Sequence, residues 1–163
     1  MQIPRTTTRV AEHTDPQINE DILNRTKHNI VLYASAGRSS LDRRLMELDE
    51  EWDIERVLEA NAASFSLVGL VLGTFAHRRW FLLPAAVCSF LLQHSIQGWC
   101  PPVPLFRRLG VRTSAEIQQE RHALKALRGD YHDIQGLPDQ TDHAHAPKAS
   151  AAFEAAGNHS SNM

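Results

Sequence analysis

The sequence predicts an all-α protein: a short two-helix transmembrane hairpin flanked by amphipathic helices and followed by a disordered C-terminal tail. Three observations carry this. The apolar residues of the 163-residue chain crowd into residues 62–106, while both flanks are polar and charged. Two uncharged runs, Ala62 to Ala76 (AASFSLVGLVLGTFA) and Trp80 to Leu92 (WFLLPAAVCSFLL), are separated only by His77, Arg78 and Arg79. The flanks carry apolar residues at helical spacing between recognisable caps.

Residues 1–13 hold three consecutive threonines and no apolar period, which predicts a flexible tail. Order is expected from Thr14. Asp15 offers an oxygen to an orphan backbone N–H and Pro16 presets φ in the first helical turn, so a helix starts there. Ile18, Ile22, Ile30 and Tyr33 mark its apolar face, and it runs to about Ser35, ahead of Gly37. A second helix opens at Ser39 or Ser40, with Leu41, Leu45, Leu48 and Trp52 as its buried stripe. The acidic stretch Asp49, Glu50, Glu51, Asp53 and Glu55 reads as a solvated face. Residues 14–56 thus form a polar, amphipathic helical region and residues 57–112 the membrane hairpin. Pro101, Pro102 and Pro104 stop helical structure after it. Thr113-Ser114-Ala115-Glu116 is a capping box opening an amphipathic helix over 113–130, in which Ile117, Leu124 and Leu127 are apolar and Gly129 is the stop. From residue 131 the composition turns to His, Ala, Ser, Asn and Pro, too polar to offset ordering entropy, so 131–163 is expected to be disordered.

Composition narrows the function. A net charge of −2 from 17 basic and 19 acidic residues supplies no broad positive field, so nucleic acid is not an expected partner. No glycine-rich phosphate loop, HExxH, CxxC or GxSxG occurs, so no catalytic residue and no cofactor is assigned. Cys88 and Cys100, if on one helix, lie about 18 Å apart along it at ~1.5 Å per residue, too far for a disulfide. His94 and Cys100, six apart, would point to different faces of such a helix, and two ligands do not make a metal site. His132, His143 and His145 fall in the polar tail and are read as incidental. Residues 1–10 lack the apolar run of about 7 to 15 residues found in a signal peptide, so insertion would use the internal block.

The uncharged cores are short for a hydrocarbon layer of ~30 Å, which asks for about 20 residues. Extending them to Val57–Ala76 and Trp80–Trp99 reaches that length by including Glu59, Asn61, Gln93, His94 and Gln97, which must then lie at the interface or face protein. On the first helix Ala62, Ser66, Gly69, Gly73 and Ala76 are spaced by 4, 3, 4 and 3 and share one seam. Small residues let backbones approach closely, the source of helix association in lipid. Ala86, Ser89, Gln93, Ile96 and Cys100 offer the second helix a matching seam. The arginine excess outside the connector puts both termini in the cytoplasm, and Trp52, Trp80 and Trp99 fall near the proposed boundaries. The competing reading is a soluble helical oligomer whose apolar hairpins form a shared core.

At Gly98-Trp99-Cys100-Pro101, with Leu109-Gly110-Val111 beyond, the chain resembles the YgaP-like transmembrane domain family of bacterial inner-membrane proteins. The resemblance spans roughly Ile54 to Val111, begins near Glu55-Arg56-Val57, and rests on Gly98, Cys100, Pro101 and Gly110 as a set. It implies a two-helix hairpin in the inner membrane, often as a homodimer. Family members often carry a rhodanese sulfurtransferase domain ahead of the hairpin; the helical residues before the hairpin here contain no cysteine to carry a persulfide, so that activity is not carried over. The resulting expectation is a non-enzymatic accessory or interaction module, with the lipid bilayer and a second copy as partners. A further alternative is a thiol-based sensor or sulfur-compound handling protein using Cys100.

Overall fold

Helix begins earlier than composition suggests. In the computed structural model, which describes residues 5–132, Arg9–Glu12 forms α1 and buries Val10. This corrects the expected flexible tail for those residues: one apolar side chain has no periodicity of its own but fills a core made by distant residues. The remaining helices are α2 (Pro16–Ser35), α3 (Arg38–Glu50), α4 (Ile54–Phe75), a 3-10 turn (Arg78–Phe81), α5 (Leu82–Gln97), α6 (Val103–Arg108) and α7 (Ser114–Arg128). The described residues are all-helical, with no strand among them. The expected disordered tail lies, apart from Tyr131 and His132, outside the described residues.

The caps act as their chemistry dictates. The Asp15 carboxylate accepts from the Gln17 amide at 2.9 Å. The Asp53 carboxylate accepts from the Arg56 amide at 2.9 Å and starts α4. The Thr113 amide donates to Glu116 at 2.7 Å while the Glu116 amide donates back to the Thr113 hydroxyl at 3.3 Å. Helix also forms where prolines were expected to exclude it. α6 follows Pro102 with Pro104 in its first turn, where no backbone N–H is needed. Trp52 lies beyond the end of α3, exposed and stacked against the Arg56 guanidinium at 4.2 Å, and is not part of the buried stripe.

Two compact units result, Met1–Arg25 with Trp52–Ile117 and Thr26–Glu51 with Gln118–Met163. In the second, Leu41, Leu45 and Leu48 of α3 and Leu124 of α7 are buried, as their spacing predicts. Charged staples join these two helices. Arg44 donates to the fully buried Glu120 at 2.8 Å, Arg121 to Asp49 at 2.5 Å and to the Leu48 carbonyl at 2.9 Å, and Arg128 to Asp42 at 2.7 Å. The acidic stretch is therefore not simply a solvated face: Asp49 holds α7, Asp53 caps α4, and Glu55 enters the first unit's polar cluster.

In the first unit Val10, Ile54, Leu58, Cys100 and Val103 form the core, with Phe106 and Val111 against it. α4 and α5 pack along their lengths. One helical run among the described residues, Arg38–Phe75, is long and apolar enough to cross a membrane by length and composition, and only 17% of its most apolar stretch is buried. The run is interrupted at residues 51–53, so its apolar part is α4.

Candidate functional site

Three features of the first unit stand out: a notch between α4 and α5, a polar cluster where α4 begins and α5 ends, and an apolar cavity beside it.

The notch is built from Gly69 and Gly73, both buried. A Cβ on Gly69 would lie 2.5 Å from Pro84 Cδ and 3.2 Å from the Trp80 carbonyl; one on Gly73 would lie 2.8 Å from the Phe81 ring. Ser66 is half-buried on the same side and Ala76 is exposed at the helix end. The expected partner seam is corrected. Ala86 and Ser89 are exposed, and α5 turns Leu83, Pro84, Val87, Leu91 and His94 inward instead. The reason is complementarity of size: a glycine notch is filled by rings and branched side chains, whereas two small seams facing each other would leave a void.

The polar cluster starts from Arg9. Its guanidinium donates to the Ser95 carbonyl at 2.8 Å and to Glu55 at 2.9 Å, so α1 ties the start of α4 to the end of α5. The other oxygen of Glu55 lies 2.8 Å from Nε2 of His94, a side chain only 1% exposed. A carboxylate only accepts, so Nε2 carries a proton. Nδ1 is buried without a partner of good hydrogen-bond geometry, and the Cys100 side chain interacts with the ring.

Sequence separation hid this arrangement. α5 ends at Gln97, and Gly98 takes a left-handed conformation, φ +78°, with its amide donating to the His94 carbonyl at 2.7 Å. The chain turns back at that point, so Cys100 is not on the helix carrying His94 and comes to the ring. A Cβ on Gly98 would sit 2.6 Å from the Arg9 backbone, which makes glycine necessary for both conformation and space. Gly110, φ +86°, likewise leaves room for the Arg25 guanidinium, and Pro101 is an exposed turn residue. No group of three or more His, Cys, Asp or Glu side chains among the described residues is placed to hold a metal ion. His143 and His145 lie outside the described residues.

Beside the cluster, Leu58, Ala62 and Phe65 of α4, Val87 and Leu91 of α5 and Phe106 of α6 enclose a partly open cavity of about 390 Å³. Cys100, 3% exposed, forms part of its wall. Apart from that thiol, the polar side chain lining it is Asn61, whose amide nitrogen donates to the Val57 carbonyl at 2.8 Å.

The region after α5 is held by Arg107, expected as one of the cytoplasmic positive charges but fully buried here. It grips both oxygens of Glu116 at 2.7 Å and donates to Asn19 at 2.9 Å and to the Val111 carbonyl at 3.1 Å. Burial raises the Glu116 carboxyl, but Arg107 and the Thr113 amide outweigh it and hold the group below the ordinary carboxylate range.

The outer surface of α4 and α5 is apolar. Phe65, Leu67, Val71, Phe75, Leu82 and Leu92 are each more than half exposed. Hydroxyls interspersed there bond inside their own helices: Ser64 to the Ala60 carbonyl, Thr74 to Leu70, Ser89 to Ala85 and Ser95 to Leu91, at 2.7 to 3.0 Å. Compared with protein-family models, curated proteins and solved structures, the chain gives no match.

Proposed function

We propose that α4 and α5 are embedded in a lipid bilayer and that the chain serves as a non-enzymatic accessory or interaction module of the YgaP-like type in a bacterial inner membrane. The observation that carries this reading is the outward face of the helix pair, where large apolar side chains are exposed and the hydroxyls of Ser64, Thr74, Ser89 and Ser95 are satisfied by their own backbones. Water rewards neither feature. Lipid requires both, since an apolar solvent tolerates exposed Leu and Phe but leaves any unpaired hydroxyl without a partner.

Dimensions agree with this. α4 has 22 residues, about 33 Å at 1.5 Å per residue, against a hydrocarbon layer of ~30 Å. α5 is shorter at 16 residues, about 24 Å, and Trp80 and Phe81 of the 3-10 turn before it add about 4 Å. The apolar second arm of the hairpin therefore begins at Trp80, and the His77-Arg78-Arg79 connector lies at the far interface. The arginines outside the connector orient both termini to the cytoplasm. A homodimer uses the remaining outer face of the pair.

Alkaline carbonate extraction of cell membranes tests the reading. The protein is expected in the membrane pellet. Recovery of folded protein in the supernatant without detergent overturns it and favours a soluble oligomer in which copies cover one another's apolar faces.

A further inference from the structure

We propose that Cys100 is an S-acylation site: its thiol accepts a long-chain acyl group from an acyl thioester, and the apolar cavity holds the chain. The site does not depend on whether α4 and α5 cross a bilayer, because it is built entirely inside the first unit.

Three independent features converge on this sulfur. Cys100 forms part of the wall of a cavity of about 390 Å³, within the ~300 to 1,000 Å³ of small-molecule sites, and the cavity is lined almost wholly by hydrocarbon. His94, wholly buried beside it, has one nitrogen fixed by Glu55 and the other, Nδ1, unpartnered. Glu55 is itself fixed by Arg9, so the ring orientation is set from outside the cavity. A nucleophile, a base within reach and a third group orienting the base is the arrangement that activates thiols, and its hydrogen bonds are commonly loose until substrate arrives.

The occupant follows from the lining. Leu58, Phe65, Leu91 and Phe106 offer nothing to a phosphate, a sugar or a peptide, and Asn61 spends one of its two N–H groups on the Val57 carbonyl. A flexible hydrocarbon chain fits, and it needs only one polar point of attachment. In the transfer, the Cys100 sulfur attacks the thioester carbonyl carbon as the thiolate beside the His94 ring, the bond from that carbon to the carrier sulfur breaks, and the proton given up by the thiol passes by way of the ring to the departing thiolate. One thioester is exchanged for another, with no oxidant or reductant.

The full chain, in phosphatidylcholine vesicles and separately in mild detergent, is incubated with palmitoyl-, octanoyl- or acetyl-coenzyme A and analysed by peptide mass spectrometry before and after neutral hydroxylamine. Cys88, exposed on α5, is the internal control. One hydroxylamine-sensitive palmitoyl group on Cys100 is expected, at a rate at least about tenfold above acetyl transfer. The variant His94→Gln is expected to slow it about 100-fold, the lower end of what a positioned base contributes. Absence of an adduct on Cys100, equal labelling of Cys88, or equal rates for all three chains overturns the proposal. If His94→Gln loses helicity, the comparison of chain lengths on the parent protein decides.

Discussion

The two units place their apolar residues in opposite directions. Around α3 and α7, Leu41, Leu45, Leu48 and Leu124 are buried, Leu127 alone of the expected apolar leucines is exposed, and the periphery is charged, with Arg44, Arg121 and Arg128 each reaching a carboxylate on the facing helix or beside it. Around α4 and α5 glycines lie inside, and Phe, Leu and Val stand outward. The first pattern is what water selects. The second removes the hydrophobic drive for the helices to meet and leaves close packing and a few buried polar groups to hold them. Composition averaged over the whole chain conceals this, because the two patterns nearly cancel.

That contrast predicts that the first unit fails when a buried polar clamp or the glycine notch is disturbed, and the second when its buried leucines are, with a smaller response to its charges. The largest effect of losing a single charge is expected for Arg107→Ala, which strands the buried face of Glu116, frees Asn19 and weakens the start of α7. Leaving a buried ion-pair partner uncompensated costs about 3–5 kcal/mol, read as a lowered unfolding midpoint in detergent. The same pair gives an acid limit. Because Glu116 is held below the ordinary glutamate value of about 4.5 in the folded protein, its contribution is complete above that value and is lost as pH falls through the lower folded value. Glu116→Gln should flatten the fall in stability below pH 4.5; a parent protein indifferent to acid in that window would argue against the clamp.

Next comes the notch. Replacing Gly69 and Gly73 together by Leu should cost about 1–3 kcal/mol at each position through overpacking, with loss of thermal stability in mild detergent. Gly69 should matter more, since its neighbours are the rigid Pro84 ring and a backbone carbonyl, whereas the Phe81 ring beside Gly73 can swing away. Leu67→Ile with Val71→Leu, on the outward face, should leave stability unchanged. Equal stability of the glycine and control variants would mean that the helix pair does not depend on close approach.

A smaller change is expected in the second unit. Arg44→Ala removes a charge-assisted bond to buried Glu120, worth about 1.5–3 kcal/mol. Leu124→Lys in the same unit should unfold it altogether, because Leu124 is fully buried, while Leu67→Lys in the first unit should fold normally in water-rich micelles yet insert poorly into bilayers. Reversal of that pair of outcomes would erase the distinction between the units.

Local chemistry was legible in the sequence and long-range geometry was not. The Asp15, Thr113–Glu116 and Gly129 signals lie within a few residues of the bonds they make, and the Leu41, Leu45, Leu48 stripe follows from helical period alone. Val10 gave no such signal, since its burial depends on Ile54 and Cys100. Pro104 was misleading because a proline stops a helix internally but suits its first turn. The inward face of α5 depended on which residues fill a glycine notch, a question of partner shape. The Glu55–His94–Cys100 cluster joins residues 39 and 6 apart, and only the left-handed turn at Gly98 brings the last two together. A glycine directly after a helix carrying His and shortly before Cys was the one available clue.

The central claim, that the outward face of α4 and α5 meets lipid, is tested most directly at Cys88, an exposed thiol near the middle of α5. In a Cys100→Ser background, permeabilised membranes are treated with a water-soluble charged maleimide, and the reaction is repeated after unfolding in sodium dodecyl sulfate. A lipid-facing Cys88 should resist alkylation in the membrane and react fully once unfolded. Rapid alkylation of Cys88 in the native protein would place that face in water and contradict the account.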